Sequence, residues 1–473
     1  MRLTGGLKVS RNSRQSSENG AFLTISVCTG TGADCVCTRR TKTLPNVKSL
    51  RDETSLPKKT NVRSLLTALS LLLLAVLPIM AVPGKPAKTR AAAPASTKRL
   101  LLAHYMPWFQ AKPFSQTWGW HWTMNHYNPD HVVNGKRDAP SHYYPLIGLY
   151  DSNDPDALQC QVLLMKLSGI DGVIFDWYGH DDTQDYGINN RNTERMIPFL
   201  RQAGLRFAIC YETQTVPKEI AGGVLPEADA VAHGQRLMQW MQQNFFSTPG
   251  YLKLDNRPVL LSFGDPYYKD AQWNQILSAV QPRPLYFTES DRQVATAAVG
   301  GFDWPLPAGG TQAAFGEQDK FYHRAQNFPF FIAAAYPRFD DIYSEAGIGK
   351  SWGHVDDRNG QTYEDTLAKA LQSSASIVQI VTWNDWGEGT QIEPSVEVGY
   401  RDLETTQRLR RKYLNPSFSG TAQDLRLPVK WYLLNKKFAD NPQAHAKLAA
   451  FFPLVVAGHM EQARALLSIY EKQ

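Results

Sequence analysis

From residue 100 onward, short apolar runs alternate with longer amphipathic stretches, the pattern of a parallel sheet wrapped in helices. The runs cover 100–104, 172–176, 206–212, 258–263, 284–288, 298–303, 330–335 and 377–383, the sixth being the weakest. A helix is predicted to start at Asp154-Pro155, an N-cap acid followed by proline at the first helical position, and to stop at Gly169. Further helices are expected over 195–202, 228–243, 272–280 and 363–372. Eight strands with intervening helices predict an α/β fold, a (β/α)₈ barrel over residues 100–415. A doubly wound open sheet would place a Gly-rich phosphate loop after its first strand, where His104-Tyr105-Met106-Pro107-Trp108 stands instead. Residues 428–438 and 442–470 read as two or three helices with an apolar face at Leu448, Phe451, Phe452, Val455 and Val456, so 416–473 is expected to be a small helical extension.

In such a barrel chemistry lives where the strands end. Taken in order, those ends carry His104, Asp176-Trp177-Tyr178, Glu212, Asp265, Glu289, Asp303-Trp304, Tyr336 and Trp383-Asn384-Asp385-Trp386-Gly387-Glu388. A ring of carboxylates interleaved with aromatics suits a sugar site: acids move protons and bind hydroxyls, and rings stack on pyranose faces. Asp385 and Glu388 are the candidate catalytic pair; their bland alternative is capping the next helix or pairing with Arg401. Glu393 and Glu397 read as a solvated helix face.

The first loop, residues 109–151, holds Trp118, Trp120, Trp122, Tyr127, Tyr143 and Tyr144 with His121, His126, His131 and His142. A loop of that length over a barrel mouth is expected to be functional, here an aromatic lid facing substrate. Its histidine spacing matches no helical i, i+4 ligand pair and no Cys lies among them, so no metal is expected.

Charge changes the picture at the N-terminus. Residues 1–99 carry 17 Lys/Arg against 4 Asp/Glu, leaving 33 basic and 40 acidic residues in the remainder. The net +6 therefore describes a basic tail on a mildly acidic body, and no basic stripe argues for nucleic acid. Lys58, Lys59 and Arg63 precede an apolar run over 65–81, which reads as an export signal, with a retained membrane anchor as the lesser alternative. Some sixty residues precede it, which predicts that Met1 is not the natural start; residues 83–99 read as a linker. Cys35-x-Cys37 has the wrong spacing for a zinc pair, and Cys160 and Cys210 are expected to be buried thiols, a disulfide between them remaining open.

The segment Val381-Thr382-Trp383-Asn384-Asp385-Trp386-Gly387-Glu388-Gly389-Thr390-Gln391-Ile392-Glu393-Pro394 resembles the last-strand motif of glycoside hydrolase family 99, the endo-α-mannosidases and endo-mannanases. Tyr105-Met106-Pro107-Trp108-Phe109 is similar to that family's first-strand motif, the strand ending at Glu212 to its third, and residues 337–341 to its P-G-Y-D-D. Trp383-Asn384-Asp385 with Gly387-Glu388 also resembles family 71, the fungal α-1,3-glucanases. The resemblance implies a metal-free and cofactor-free endo-glycosidase acting on an α-linked polysaccharide. Carried over by position, it gives Asp385 the role of base or 2-hydroxyl assistant and Glu388 that of acid. Tyr105, Trp108, Trp120, His121, Trp122, Asp176, Trp177, Glu212, Tyr336, Trp383, Asn384 and Trp386 are the expected substrate contacts. Two positions depart from family 99: Asp385 is one methylene (roughly 1.5 Å) shorter than the family's glutamate, and Phe339 stands where a tyrosine is expected. A wider carboxylate gap leaves room for the water that an inverting enzyme needs. The rival functions are a non-catalytic carbohydrate-binding barrel and a metal-dependent hydrolase built on the His-rich loop.

Overall fold

The computed structural model describes residues 99–290 and 295–472, together with the backbone of an antiparallel hairpin, Leu23–Thr29 with Val36–Lys42. The export signal over 65–81, the linker and Cys35-x-Cys37 as a metal pair involve residues outside that description or side chains it does not include. Eight parallel strands follow one another: Leu100–Tyr105 (β1), Gly172–Trp177 (β2), Arg206–Glu212 (β3), Arg257–Phe263 (β4), Leu285–Glu289 (β5), Gly300–Phe302 (β6), Ile332–Ala335 (β7) and Ile377–Ile380 (β8). Each pairs with the next, and β8 returns to β1 with Ile377 opposite Leu100, so the sheet closes on itself. This is the (β/α)₈ barrel expected.

The strands are apolar along almost their whole length because both faces are covered, inward by the barrel core and outward by helices. β6 is three residues long, which is why its run is the faintest in the sequence. The helix Pro155–Ser168 obeys its predicted signals: the Asp154 side chain accepts from the Asp156 N–H, and Gly169 closes the helix at φ 87°. Other helices depart from expectation. Tyr186–Gln202 begins nine residues before 195 because its first turns are polar, yet bury Asn189, Asn190, Asn192 and Thr193. Ala230–Met241 runs into a π-turn over Gln242–Phe246, and Thr215–Ala221, Thr311–Ala325 and Arg401–Tyr413 lie outside the expected helices; in Arg401–Tyr413 only Leu403 and Leu409 are buried apolar side chains.

The C-terminal residues form four helices rather than two or three: Arg426–Lys437, Pro442–Leu448, Phe451–Val456 and Met460–Glu471. The first packs on Pro155–Ser168, and Lys436 bridges Asp154 (2.7 Å) and Asp156 (2.8 Å). Cys160 and Cys210 are buried free thiols. Among the described residues no helix is long and apolar enough to cross a membrane.

Candidate active site

β8 ends at Ile380, three residues short of the apolar run, and the chain then turns across the barrel mouth. Three sets of hydrogen bonds fix that turn. The Trp383 N–H donates to His104 O (2.6 Å), and Asn384 clamps residue 106, accepting from its N–H (2.8 Å) and donating to its carbonyl (3.0 Å). Thr382 and Thr390 join through their hydroxyls (3.0 Å), and the Asp385 N–H donates to Thr382 Oγ1 (2.8 Å). Gly389 has φ 67°, and a Cβ there would come within 2.8 Å of Asp340 O, so the turn requires glycine.

This turn delivers Asp385 and Glu388 to a pocket of about 170 Å³ at the C-terminal ends of the strands. His104, Trp108, Asp176, Tyr178, Glu212 and Tyr343 complete its main walls. Asp385 Oδ1 accepts from the Glu388 N–H (3.0 Å), and Glu388 Oε1 accepts from the Tyr343 hydroxyl (3.3 Å). Burial raises the Asp385 carboxyl to about 7, opposed by N–H donors of Gly387 and Glu388. Glu388 is pushed well above the usual carboxylate range, by burial first and then by the negative charge of Asp385. A second pair faces them. Asp176 is raised by burial and by neighbouring Glu212, while Glu212, raised to about 7 by burial, accepts from Gln214 (2.9 Å). His104 is driven down to about 4 by burial and is neutral at pH 7.

Trp108, Tyr178, Gln214, Tyr343 and Asp385 also line an outer groove of about 540 Å³, a volume usual for ligand sites. Trp120, His121, Tyr186 and Lys218 extend it. His121 stacks on Trp108 at 4.0 Å and 4° and, desolvated to a pKa of about 3, presents a neutral flat face. Of the expected contacts, Trp108, Trp120, His121, Asp176, Glu212, Asp385 and Glu388 therefore meet at one mouth.

The others do not reach it. Tyr105 donates to Gln161 Oε1 (2.8 Å) in the core behind the turn. Trp122 is fully buried and donates to Tyr150 O (2.8 Å); Trp177 packs on Trp240 and Phe245 and donates to Asn190 (3.0 Å). Tyr336 and Trp383 are buried beneath the mouth. Asn384 and Trp386 both donate to Tyr150 Oη, at 3.0 and 3.2 Å. These six and Tyr105 shape the site from behind: side chains at or just past a strand end can point into the core as easily as into the cavity, and Trp122, on the short helix of the first loop, packs inward. Glu393 is likewise no solvated helix residue: it is buried and accepts from Tyr150 (2.8 Å) and Gln161 (2.8 Å). Arg401 pairs with Asp357 and Asp402, not with the catalytic candidates. Glu289 directs an oxygen to the Gly264 N–H (3.0 Å).

The first loop is less irregular than expected, with a short helix Trp120–Thr123 and a hairpin Val132–Val133 with Lys136–Arg137. Its histidines are dispersed: His121 lies in the groove, and His142 pairs with Asp340 and Glu345 at 3.0 Å each. Sequence reasoning missed Tyr343, which lies in a loop two residues past the segment 337–341 and carries no periodic signal.

A family model, glycosyl hydrolase family 99, matches residues 309–423, the segment that includes β7, β8 and the turn after it. The mouse glycoprotein endo-alpha-1,2-mannosidase is 22% identical over 337 residues, covering 63% of this chain and 68% of that protein. A protein of Xanthomonas campestris named WxcX is 23% identical over 387 residues, 69% of this chain and 51% of that one. The solved family 99 endo-alpha-mannosidase of Bacteroides thetaiotaomicron superposes with a TM-score of 0.51 at 20% identity, over 66% of this chain and 97% of that one.

Proposed function

We propose that the chain is a glycoside hydrolase of the family 99 type that cleaves internal α-linkages of a polysaccharide, with Glu388 as general acid and Asp385 as base or 2-hydroxyl assistant. The observation that carries this reading is the meeting of two buried carboxyls, Asp385 and Glu388, in one pocket at the ends of the barrel strands. Glu388, pushed well above the usual carboxylate range by burial and hydrogen-bonded to Tyr343, keeps a proton to give to the departing glycosidic oxygen. Asp385, raised to about 7 by burial, has its ionised form steadied by the backbone N–H groups of Gly387 and Glu388. It can then take a proton from water or from the sugar 2-hydroxyl. The outer groove leads away from this pair past Trp120 and stacked His121, which favours a substrate longer than one sugar unit. The basic flank and apolar run over 65–81 support export of the enzyme.

The test is hydrolysis of α-mannans and α-1,3-glucans by the purified protein, with the size and anomeric form of products read by NMR. Release of oligosaccharides, lost in Glu388→Gln, is the expected result. Release of monosaccharide alone would overturn the endo reading, and equal turnover by Glu388→Gln would overturn the assignment of the acid.

A further inference from the structure

Beside the groove, but outside it, three side chains from three elements converge. Asp181 comes from the loop after β2, Glu219 from the helix Thr215–Ala221, and His233 from the helix Ala230–Met241. One donor atom from each lies within 4.8 Å of the other two. His233 Nε2 and Glu219 Oε2 are 3.5 Å apart, close to the separation of about 3.4 Å between ligands on a tetrahedral ion with bonds near 2.1 Å.

Glu219 supplies an independent observation. Its side chain is 2% exposed, and Oε2 is buried, aimed at the cluster and accepts no hydrogen bond. A buried carboxylate oxygen in that state costs free energy unless a cation or proton satisfies it. The nearby cations do so incompletely: His233 Nε2, 3.5 Å from that oxygen, makes an ion pair with it only when the ring is protonated and no hydrogen bond. His180 is engaged with Asp181 (3.1 Å), and Arg236 bears on Asp181 and His233 only at a distance.

We propose that Asp181, Glu219 and His233 form a binding site for a divalent transition-metal ion, zinc by ligand preference, that staples the loop after β2 to the two helices behind it. One imidazole and two carboxylates suit zinc and leave a fourth position for water. The ion takes no part in glycoside cleavage. Its consequence is mechanical: Lys218, next to Glu219, and Tyr178, three residues before Asp181, both line the outer groove, so a fixed cluster holds one wall of that groove in place.

The experiment uses the full chain, stripped with chelator and titrated with zinc chloride by calorimetry, then with cobalt(II) for a visible spectrum. One zinc per chain is expected, with a rise in Tm on binding. His233→Ala and Asp181→Asn, at partly exposed positions, should each weaken binding at least ~10-fold, remove the Tm rise and leave the metal-free Tm near that of wild type. His142→Ala should bind as wild type does. Absence of zinc binding in the wild-type chain, or binding undiminished in both His233→Ala and Asp181→Asn, would overturn the proposal.

Discussion

The hydroxyl of Tyr343 donates to Glu388 Oε1 at 3.3 Å, from a residue that no motif announces. Phe339, where family 99 resemblance leads one to expect a tyrosine, is buried and has no hydroxyl to offer. The phenol reaches the acid from four residues further along the same loop. Since its hydrogen bond holds the Glu388 pKa down, Tyr343→Phe should raise that pKa further. The alkaline limb of the kcat/KM profile then moves to higher pH. A hydrogen bond to a charged group is worth about 1.5–3 kcal/mol, so a loss of roughly 10- to 100-fold in kcat/KM is expected, with little change in Tm. An unmoved alkaline limb would detach Tyr343 from the acid.

The wild-type profile should itself be bell-shaped. With Asp385 as the proposed base and Glu388 as the proposed acid, activity rises as Asp385, held near 7, ionises, and falls as Glu388, held well above the usual carboxylate range, gives up its proton. The same shifts act on stability with a definite sign. Both carboxyls bind protons in the folded chain at pH values where the unfolded chain has released them. Their contribution is therefore fully present below about 4 and is lost as pH rises through 7 and beyond. Glu388→Gln should accordingly raise Tm at pH 8 relative to wild type, by more than it does at pH 4. Equal shifts at the two pH values would contradict the burial argument.

The aromatic residues of the first loop divide by burial. Trp122 is fully buried and hydrogen-bonded to Tyr150 O, whereas Trp120 is 41% exposed on the groove. Trp122→Ala should cost about 3–5 kcal/mol of stability. Trp120→Ala should raise KM several-fold with Tm almost unchanged. Trp118 donates to Asp130 (2.9 Å) and carries Arg137 over its ring, so its loss should loosen the loop rather than the core. Thermal melts and binding titrations on the three single variants separate these outcomes.

The eight strands were legible because a strand covered on both faces must be apolar throughout, and such runs survive even at three residues, as in Gly300–Phe302. Asp385 and Glu388 were legible because the turn after β8 needs a particular residue at almost every position: Asn384 to clamp the first strand, Thr382 and Thr390 to tie its ends, Gly389 for its φ. What alternation could not tell was the direction of side chains beyond Ile380, where the chain leaves the strand. Trp383, Asn384 and Trp386 sit beside the catalytic pair in sequence and yet point into the core. Glu393 failed for a related reason: its partners Tyr150 and Gln161 come from more than 200 residues away, and only the fold brings them together.

The roles proposed for Asp385 and Glu388 can be separated by the choice of leaving group. Protonation by Glu388 matters most when the departing alcohol is a poor leaving group, as in a native polysaccharide. General acid assistance is typically worth ~10²–10⁴ in rate, and Glu388→Gln should lose at least that on polysaccharide. An aryl glycoside with a good leaving group hardly needs the proton and should be spared much of the loss. Asp385→Asn should fail on both substrates, because it removes the group that activates the attacking oxygen. Binding should survive in each variant, since the groove walls at Trp108, Trp120 and His121 are untouched. Kinetics on the two substrate classes, with binding followed by calorimetry, give a pattern that simple misfolding would not produce. If Glu388→Gln lost equally on both substrates, its role would not be that of the acid. Glu212, raised to about 7 in the same pocket beside Asp176, would then be the next carboxyl to test.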